Sequence, residues 1–184
     1  MKYEDEKYYH VFNRGANKET IFFSTSNYEY CVSLIEKYSK KYKVQLAAYC
    51  LMSNHYHFLL QQKPGGSIHR FLQTTFNAYS QTINKELGRS GTFFQGRPKS
   101  KEIEDEDYLA QICRYIHMNP VVAGLVDNPI KWKFSDCSEW LRVPLISIPP
   151  FSSILLTDPA AYKEFLFEGA RQNEQILFFA YDHE

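Results

Sequence analysis

The sequence predicts an α+β fold, an antiparallel sheet carrying two helices on one face in the ferredoxin-like arrangement. Three observations lead there. The elements read in the order strand, helix, strand, strand, helix, strand; the middle strands are separated only by Met52-Ser53-Asn54; and both helices carry an apolar stripe at helical spacing. The chain has 184 residues, 44% hydrophobic and 16% aromatic, which is enough for one buried core and short for two full domains.

Tyr8 to Asn13 is rich in aromatic and β-branched residues and ends at Arg14-Gly15, a strand closed by a turn. From Asn27 to Tyr42, the residues Tyr30, Leu34, Ile35 and Tyr38 recur at helical spacing, with Ser26 or Asn27 as the cap. Val44 to Leu51 and His55 to Gln61 are apolar runs joined by a connection of hairpin length, so they pair antiparallel. After Pro64-Gly65-Gly66, Ser67 caps a helix whose inner face is Ile68, Phe71, Leu72, Thr75, Tyr79 and Ile83, and Gly88 stops it. Thr92 to Phe94 is expected to be the last, short strand. A third helix is expected from Glu106 to about His117, because Glu102, Glu104, Asp105, Glu106 and Asp107 suit a helix N-terminus and Asn119-Pro120 ends the pattern. That helix is a candidate cover for the second face of the sheet. Beyond Arg142 a Pro-rich segment interrupts the pattern, and a further helix is expected from Pro159 to Gln172.

Lys+Arg and Asp+Glu are balanced at 21 each, so total charge points to no polyanionic partner and any such claim rests on local charge. Between Gln61 and Lys101, Lys63, Arg70, Lys85, Arg89, Arg97, Lys99 and Lys101 stand against Glu86 alone. Arg97 and Lys99, beside Phe93 and Phe94, combine charge and aromatic surface in the way that grips single strands, and Arg14 and Lys101 are further candidates. Taken singly, each of these charges also reads as a solvated surface group, and each Phe as core. Lys37, Lys40, Lys41 and Lys43 read as a solvated helix end. Cys31, Cys50, Cys113 and Cys137 are widely spaced and fit reduced thiols in a cytoplasm. The first ten residues are too polar for a signal peptide, and the apolar stretch from Val143 to Leu156 is broken by Pro144, Pro149 and Pro150. A soluble cytoplasmic protein with no membrane partner is the expectation.

His55-Tyr56-His57 lies in a strand, where side chains alternate, so both imidazoles face one side and Tyr56 the other. Two nitrogen donors then converge, although a hydrogen-bonded pair of sheet histidines would look the same. Tyr115 and Asn119, four residues apart, stack on one face of the third helix. If that helix covers the histidine face, Asn119 can complete a metal site and Tyr115 can approach a phosphate held there.

The blocks YYHVFNRGANKETIF, AYCLMSNHYHFLL, SGTFFQGRPKS and YLAQICRYIHMNPVVAGLV, in this order and spacing, resemble the REP-associated tyrosine transposases, a branch of the single-tyrosine HUH transposases. The resemblance spans about Tyr8 to Trp140. It implies an HUH catalytic domain over residues 1–142, with 143–184 as an extension of open role. It further implies that His55 and His57 are metal ligands, Tyr115 the nucleophile and Asn119 a third polar ligand. The ion would be Mg²⁺ or Mn²⁺, and the reaction cleavage and rejoining of single-stranded DNA through a 5′-phosphotyrosine. The substrate implied is a hairpin-forming repetitive extragenic palindrome, and the protein would act as a monomer or homodimer. Two rivals share the same residues: a nucleic-acid-binding module without chemistry, and a metallo-phosphoesterase in which water attacks.

Overall fold

Four strands, β1 (Tyr8–Arg14), β2 (Val44–Leu51), β3 (His55–Gln62) and β4 (Lys99–Ile103), form one antiparallel sheet in the order β2-β3-β1-β4. The structure is a computed structural model that describes residues 2–142 and 158–168. The chain divides into two units, Met1–Ile103 and Glu104–Glu184. The strand order, with one helix after β1 and another after β3, is the α+β arrangement expected for the first unit.

The hairpin between β2 and β3 closes as expected: the Met52 amide donates to the His55 carbonyl at 2.8 Å. The Ser53 carbonyl accepts from Ile21 and Phe22, which pins the chain entering the first helix to the hairpin tip. α1 (Thr25–Lys41) starts two residues earlier than the spacing of its apolar stripe implies. Ser24, not Ser26 or Asn27, is the cap: its side chain accepts from the Asn27 amide. Asn27 instead turns its Oδ1 to the Phe23 amide and its Nδ2 to Glu86, a tertiary use of a residue that looks like a cap. α2 (Ile68–Glu86) has the expected Ser67 cap and ends before Gly88, whose φ of +62° is the left-handed conformation that closes a helix.

Both helices pack on one face of the sheet, through an aromatic cluster. Tyr56 stacks on Phe76 with centroids 4.2 Å apart, and Phe94 meets Phe76 edge-on at 5.0 Å. Such pairs contribute about 0.5–1.5 kcal/mol each beyond their burial. The Tyr79 hydroxyl donates to the Ile21 carbonyl, tying α2 to the loop before α1.

The last strand is not Thr92–Phe94. Phe94 forms an isolated bridge with Gly15, and β4 follows five residues later at Lys99–Ile103. Phe93 and Phe94 are buried in the core. The short apolar run resembles a strand because it is core, whereas β4, KSKEI, is a polar edge strand with one buried residue at its end. Gly15 is required at that crossing, since a Cβ there would lie 2.0 Å from the Glu19 carbonyl oxygen.

In the second unit, α3 (Glu106–Val122) is capped by Asp105, whose carboxylate accepts from the Tyr108 amide at 2.7 Å. Of the acidic group, Glu106 and Asp107 occupy the first turn, while Glu102 lies on β4 and pairs with Lys7 at 3.0 Å. The helix passes Asn119-Pro120 and stops only at Gly124, φ +68°. Pro120 lacks the N–H that would bond the Ile116 carbonyl, yet it stands in the last turn, where helical bonding resumes through Ala123 to Asn119. A short helix, α4 (Cys137–Trp140), and α5 (Pro159–Glu168) complete the described part of this unit. His117 joins them: its Nδ1 lies 2.6 Å from the Tyr162 hydroxyl and its Nε2 3.1 Å from Asp136. Trp140 Nε1–H donates to the other oxygen of Asp136 at 3.2 Å. The boundary expected at Arg142 meets residues 143–157, and the end of the last expected helix meets residues 169–184; both ranges lie outside the described residues.

Candidate functional site

Cross-strand partners in an antiparallel pair point to the same face. Phe12 is opposite His57 and Arg14 opposite His55, so both histidines, Phe12 and Arg14 share the face turned away from α1 and α2. On the far side of β1, Lys99 is opposite Phe12 and Lys101 opposite His10, which brings both lysines to the same face. The Lys99 ammonium stands 5.8 Å from the Phe12 ring centroid. The imidazoles of His55 and His57 lie edge to face, 5.2 Å between centroids. Tyr56 points the other way into the aromatic core, where burial holds its phenol well above the ordinary value. Fully buried on the opposite face, Tyr56 does not share the histidine site although it stands between the two histidines in sequence.

Each histidine has a partner at Nδ1. Asn54 Nδ2 donates to the Lys18 carbonyl at 3.2 Å, which orients the amide and leaves Oδ1 to face His55 Nδ1 at 2.7 Å. An amide oxygen only accepts, so His55 Nδ1 carries the proton and Nε2 carries the lone pair. His57 Nδ1 lies 3.1 Å from Nε2 of His10, and the two rings stack at 5.3 Å. This arrangement, an imidazole held at one nitrogen and directed through the other, is how metal-binding histidines are oriented. Among the described residues no three His, Cys, Asp or Glu side chains gather as a metal group, so two imidazoles need a ligand of another kind. The donor set fits an ion that accepts imidazole nitrogen together with oxygen ligands.

His10 and Asn54 were missed by reasoning from sequence. His10 has the parity of Phe12 and Arg14 along β1, but only the β1–β3 register shows that it meets His57. Asn54 looks like turn chemistry alone, and the residue immediately before an H-x-H pair was the signal available.

Arg14 bonds through Nε to Gln95 at the edge of the histidine face. Arg97 goes elsewhere: with Asn13 and Tyr56 it lines a cleft of about 810 Å³ along α2, on the helix side of the sheet. In the second unit, Tyr115 and Asn119 lie one turn apart on α3, and Asn119 Nδ2 donates to the Tyr115 carbonyl at 3.0 Å. That bond assigns the Asn119 amide, making Oδ1 its acceptor atom.

The family model described as "Transposase IS200 like" matches residues 4–119, which takes in His10, the histidine pair, Tyr115 and Asn119. The chain belongs to the IS200-like transposase family. As a transposase it is an enzyme that binds and recombines DNA. No curated protein matches the chain. Among solved structures, a REP-associated tyrosine transposase bound to a REP hairpin superposes with a TM-score of 0.63 at 18% identity, covering 86% of this chain and 92% of that one. The transposase thus has the α+β fold of that structure. A putative transposase from Deinococcus radiodurans R1 gives a TM-score of 0.44 at 17% identity over 63% of this chain and 95% of that one. No helix among the described residues is long and apolar enough to cross a membrane.

Proposed function

We propose that this transposase cleaves and rejoins single-stranded, hairpin-forming DNA through a 5′-phosphotyrosine at Tyr115, with a divalent ion, Mg²⁺ or Mn²⁺, held by His55, His57 and Asn119. The observation that carries the reading is the fixing of His55 by Asn54, because a solvated surface histidine needs no partner that sets its tautomer. A relative of the same fold is bound to a REP hairpin, which supports a hairpin as substrate here.

His55, His57 and Asn119 would hold the ion, which would supply positive charge against the phosphate as negative charge develops there. The Tyr115 oxygen attacks phosphorus, the phosphorus bond to the 3′ oxygen breaks, and the phenol proton leaves as the departing oxygen gains one. The chain then holds the 5′ end covalently, and the 3′-hydroxyl can attack a phosphotyrosine to rejoin strands without external energy. Arg14, Lys99 and Lys101, on the histidine face, contact backbone phosphates, and Arg97 serves the same strand from the cleft. Catalysis is carried by residues 1–142, acting as a monomer or homodimer in the cytoplasm.

A hairpin strand labelled at its 3′ end, the end that stays on the fragment joined to Tyr115, incubated with protein and Mn²⁺ tests this. A labelled protein band stable to boiling in detergent is expected. Cleaved DNA that never migrates with protein would replace this mechanism by attack of water.

A further inference from the structure

The cleft beside α2 has a wall that core packing does not explain. From Phe71 to Asn84 the helix contains no charged residue, although its outer positions are exposed. Solvated helix faces are ordinarily built from charged residues, which are also good helix formers, whereas Asn, Ser and Thr cost helix stability. Here Gln73, Asn77 and Gln81 follow one another at four-residue steps, and Asn84 extends the row by three, so their carboxamides form one stripe. All four line the cleft. Two threonines of the same helix are used differently: Thr74 bonds Tyr42 at 3.0 Å and Thr82 bonds Tyr30 at 2.9 Å, both on the α1 side.

The opposite wall is the loop between α2 and β4, and it is held in place. Asn84 Nδ2 donates to the Gly91 carbonyl at 3.0 Å, Asn13 Nδ2 donates to the Gly96 carbonyl at 3.2 Å, and the Ala16 amide donates to the Phe93 carbonyl at 2.9 Å. Gly91 and Gly96 have φ of +105° and +71°, which suits glycine and leaves their backbone open to the cleft. Arg97 stands on this wall, and Phe76 and Phe94 supply apolar surface below. A volume of about 810 Å³ is in the range of small-ligand sites.

We infer that this cleft holds unpaired nucleotides of the DNA substrate, with the Gln73, Asn77 and Gln81 carboxamides reading base edges and Arg97 taking a phosphate. A carboxamide presents a donor and an acceptor side by side, the pattern that matches adenine and other base edges, and it carries no charge to bias binding toward phosphate alone. An open row of neutral donor–acceptor pairs flanked by one cation suits a base-reading groove better than a purely electrostatic track. Tyr56, between the two histidines, lies in the cleft floor, so bases held here are one sheet thickness from the histidine face. The inference rests on the proposed action on single strands.

The test uses the full chain and a pool of single strands with a randomised unpaired run beside a fixed hairpin, selected by binding and sequenced. Wild type is expected to enrich particular bases. The combined variant Gln73→Ala, Asn77→Ala, Gln81→Ala changes exposed helix positions to a better helix former, so the fold holds. It is expected to lose the enrichment, with about a tenfold or greater fall in affinity for the selected sequence and little change for unselected strands. Arg97→Gln provides a second arm: it should weaken all sequences alike and lower the slope of log affinity against log salt by about 1. A triple variant that enriches the same bases as wild type overturns the cleft. A wild type that binds and cleaves no single strand overturns the function on which the cleft rests.

Discussion

Asn54 Oδ1 faces His55 Nδ1 at 2.7 Å while Asn54 Nδ2 donates to the Lys18 carbonyl at 3.2 Å. Lys18, φ +60°, and Asn17, φ +55°, both adopt left-handed backbone, so the loop accepts strain where it presents that carbonyl. One side chain thereby couples the loop after β1 to the ring orientation of a candidate ligand. Removing it should leave the fold intact and lower metal affinity. Asn54→Ala is expected to weaken Mn²⁺ binding by about 10–100-fold by titration calorimetry. An affinity equal to wild type would show that Asn54 serves the turn alone.

His10 supports His57 from the neighbouring strand, with its Nε2 3.1 Å from His57 Nδ1. His10→Phe keeps an aromatic ring on the stack and removes that nitrogen. Mn²⁺ affinity should fall, by less than on loss of His57 itself, while the urea midpoint moves little. If Mn²⁺ binds His10→Phe as tightly as wild type, the contact is packing only.

How far the sequence was legible differs between the two units. The ferredoxin-like order, the hairpin and the Ser67 cap follow from local chemistry, and all are present. The β4 position was not, because an edge strand of mostly charged and polar residues has no hydrophobic signature, while Phe93 and Phe94 imitate a strand when they are core. The histidine pair was legible through strand parity. Its supports were not, since His10 is 47 residues before the His57 it meets and their relation exists only through register. His117 likewise meets Tyr162 across 45 residues, a pairing that no spacing rule announces.

Tyr162 is buried, and burial holds its phenol well above the ordinary range. Its hydroxyl bonds His117, which also holds Asp136. Tyr162→Phe leaves a buried imidazole nitrogen without that partner, at a cost of about 1–3 kcal/mol. The loss should be visible as a lower urea midpoint at unchanged slope. A midpoint within error of wild type would mean that the contact contributes nothing net.

The thiols predict an alkaline limit. Burial pushes the Cys137 thiol up from 9.0 to about 12, and raises those of Cys31 and Cys113 too. These groups stay neutral in the folded chain but ionise near their ordinary value once unfolded. Their contribution is therefore complete below about pH 8.5 and is lost as pH rises through the folded values, at up to about 1.4 kcal/mol per unit for each fully buried thiol. Urea midpoints should be level from pH 7 to about 8.5 and fall steadily by about pH 10.5. A thiol reagent at pH 8 should label the native chain slowly and the unfolded chain at once. Rapid labelling of native Cys137 would contradict its burial.

Tyr115 decides between strand transfer and hydrolysis, because Phe removes the hydroxyl and keeps the ring volume at that helix position. If the phenol is the nucleophile, Tyr115→Phe should bind the hairpin strand as wild type does yet form no covalent adduct and release no 3′-hydroxyl end, a loss well beyond the roughly tenfold change expected from one missing hydrogen bond. Asn119→Ala separates the nucleophile from the ligand set. Its amide is held on the Tyr115 carbonyl at 3.0 Å, so the change removes the proposed oxygen ligand and one local bond while sparing the phenol. That variant should form adduct slowly at low Mn²⁺ and recover part of the rate as Mn²⁺ is raised, whereas Tyr115→Phe should not recover at any concentration. An adduct formed by Tyr115→Phe would move the nucleophile to another residue, and rescue of both variants by metal would make Tyr115 a packing residue beside a hydrolytic site.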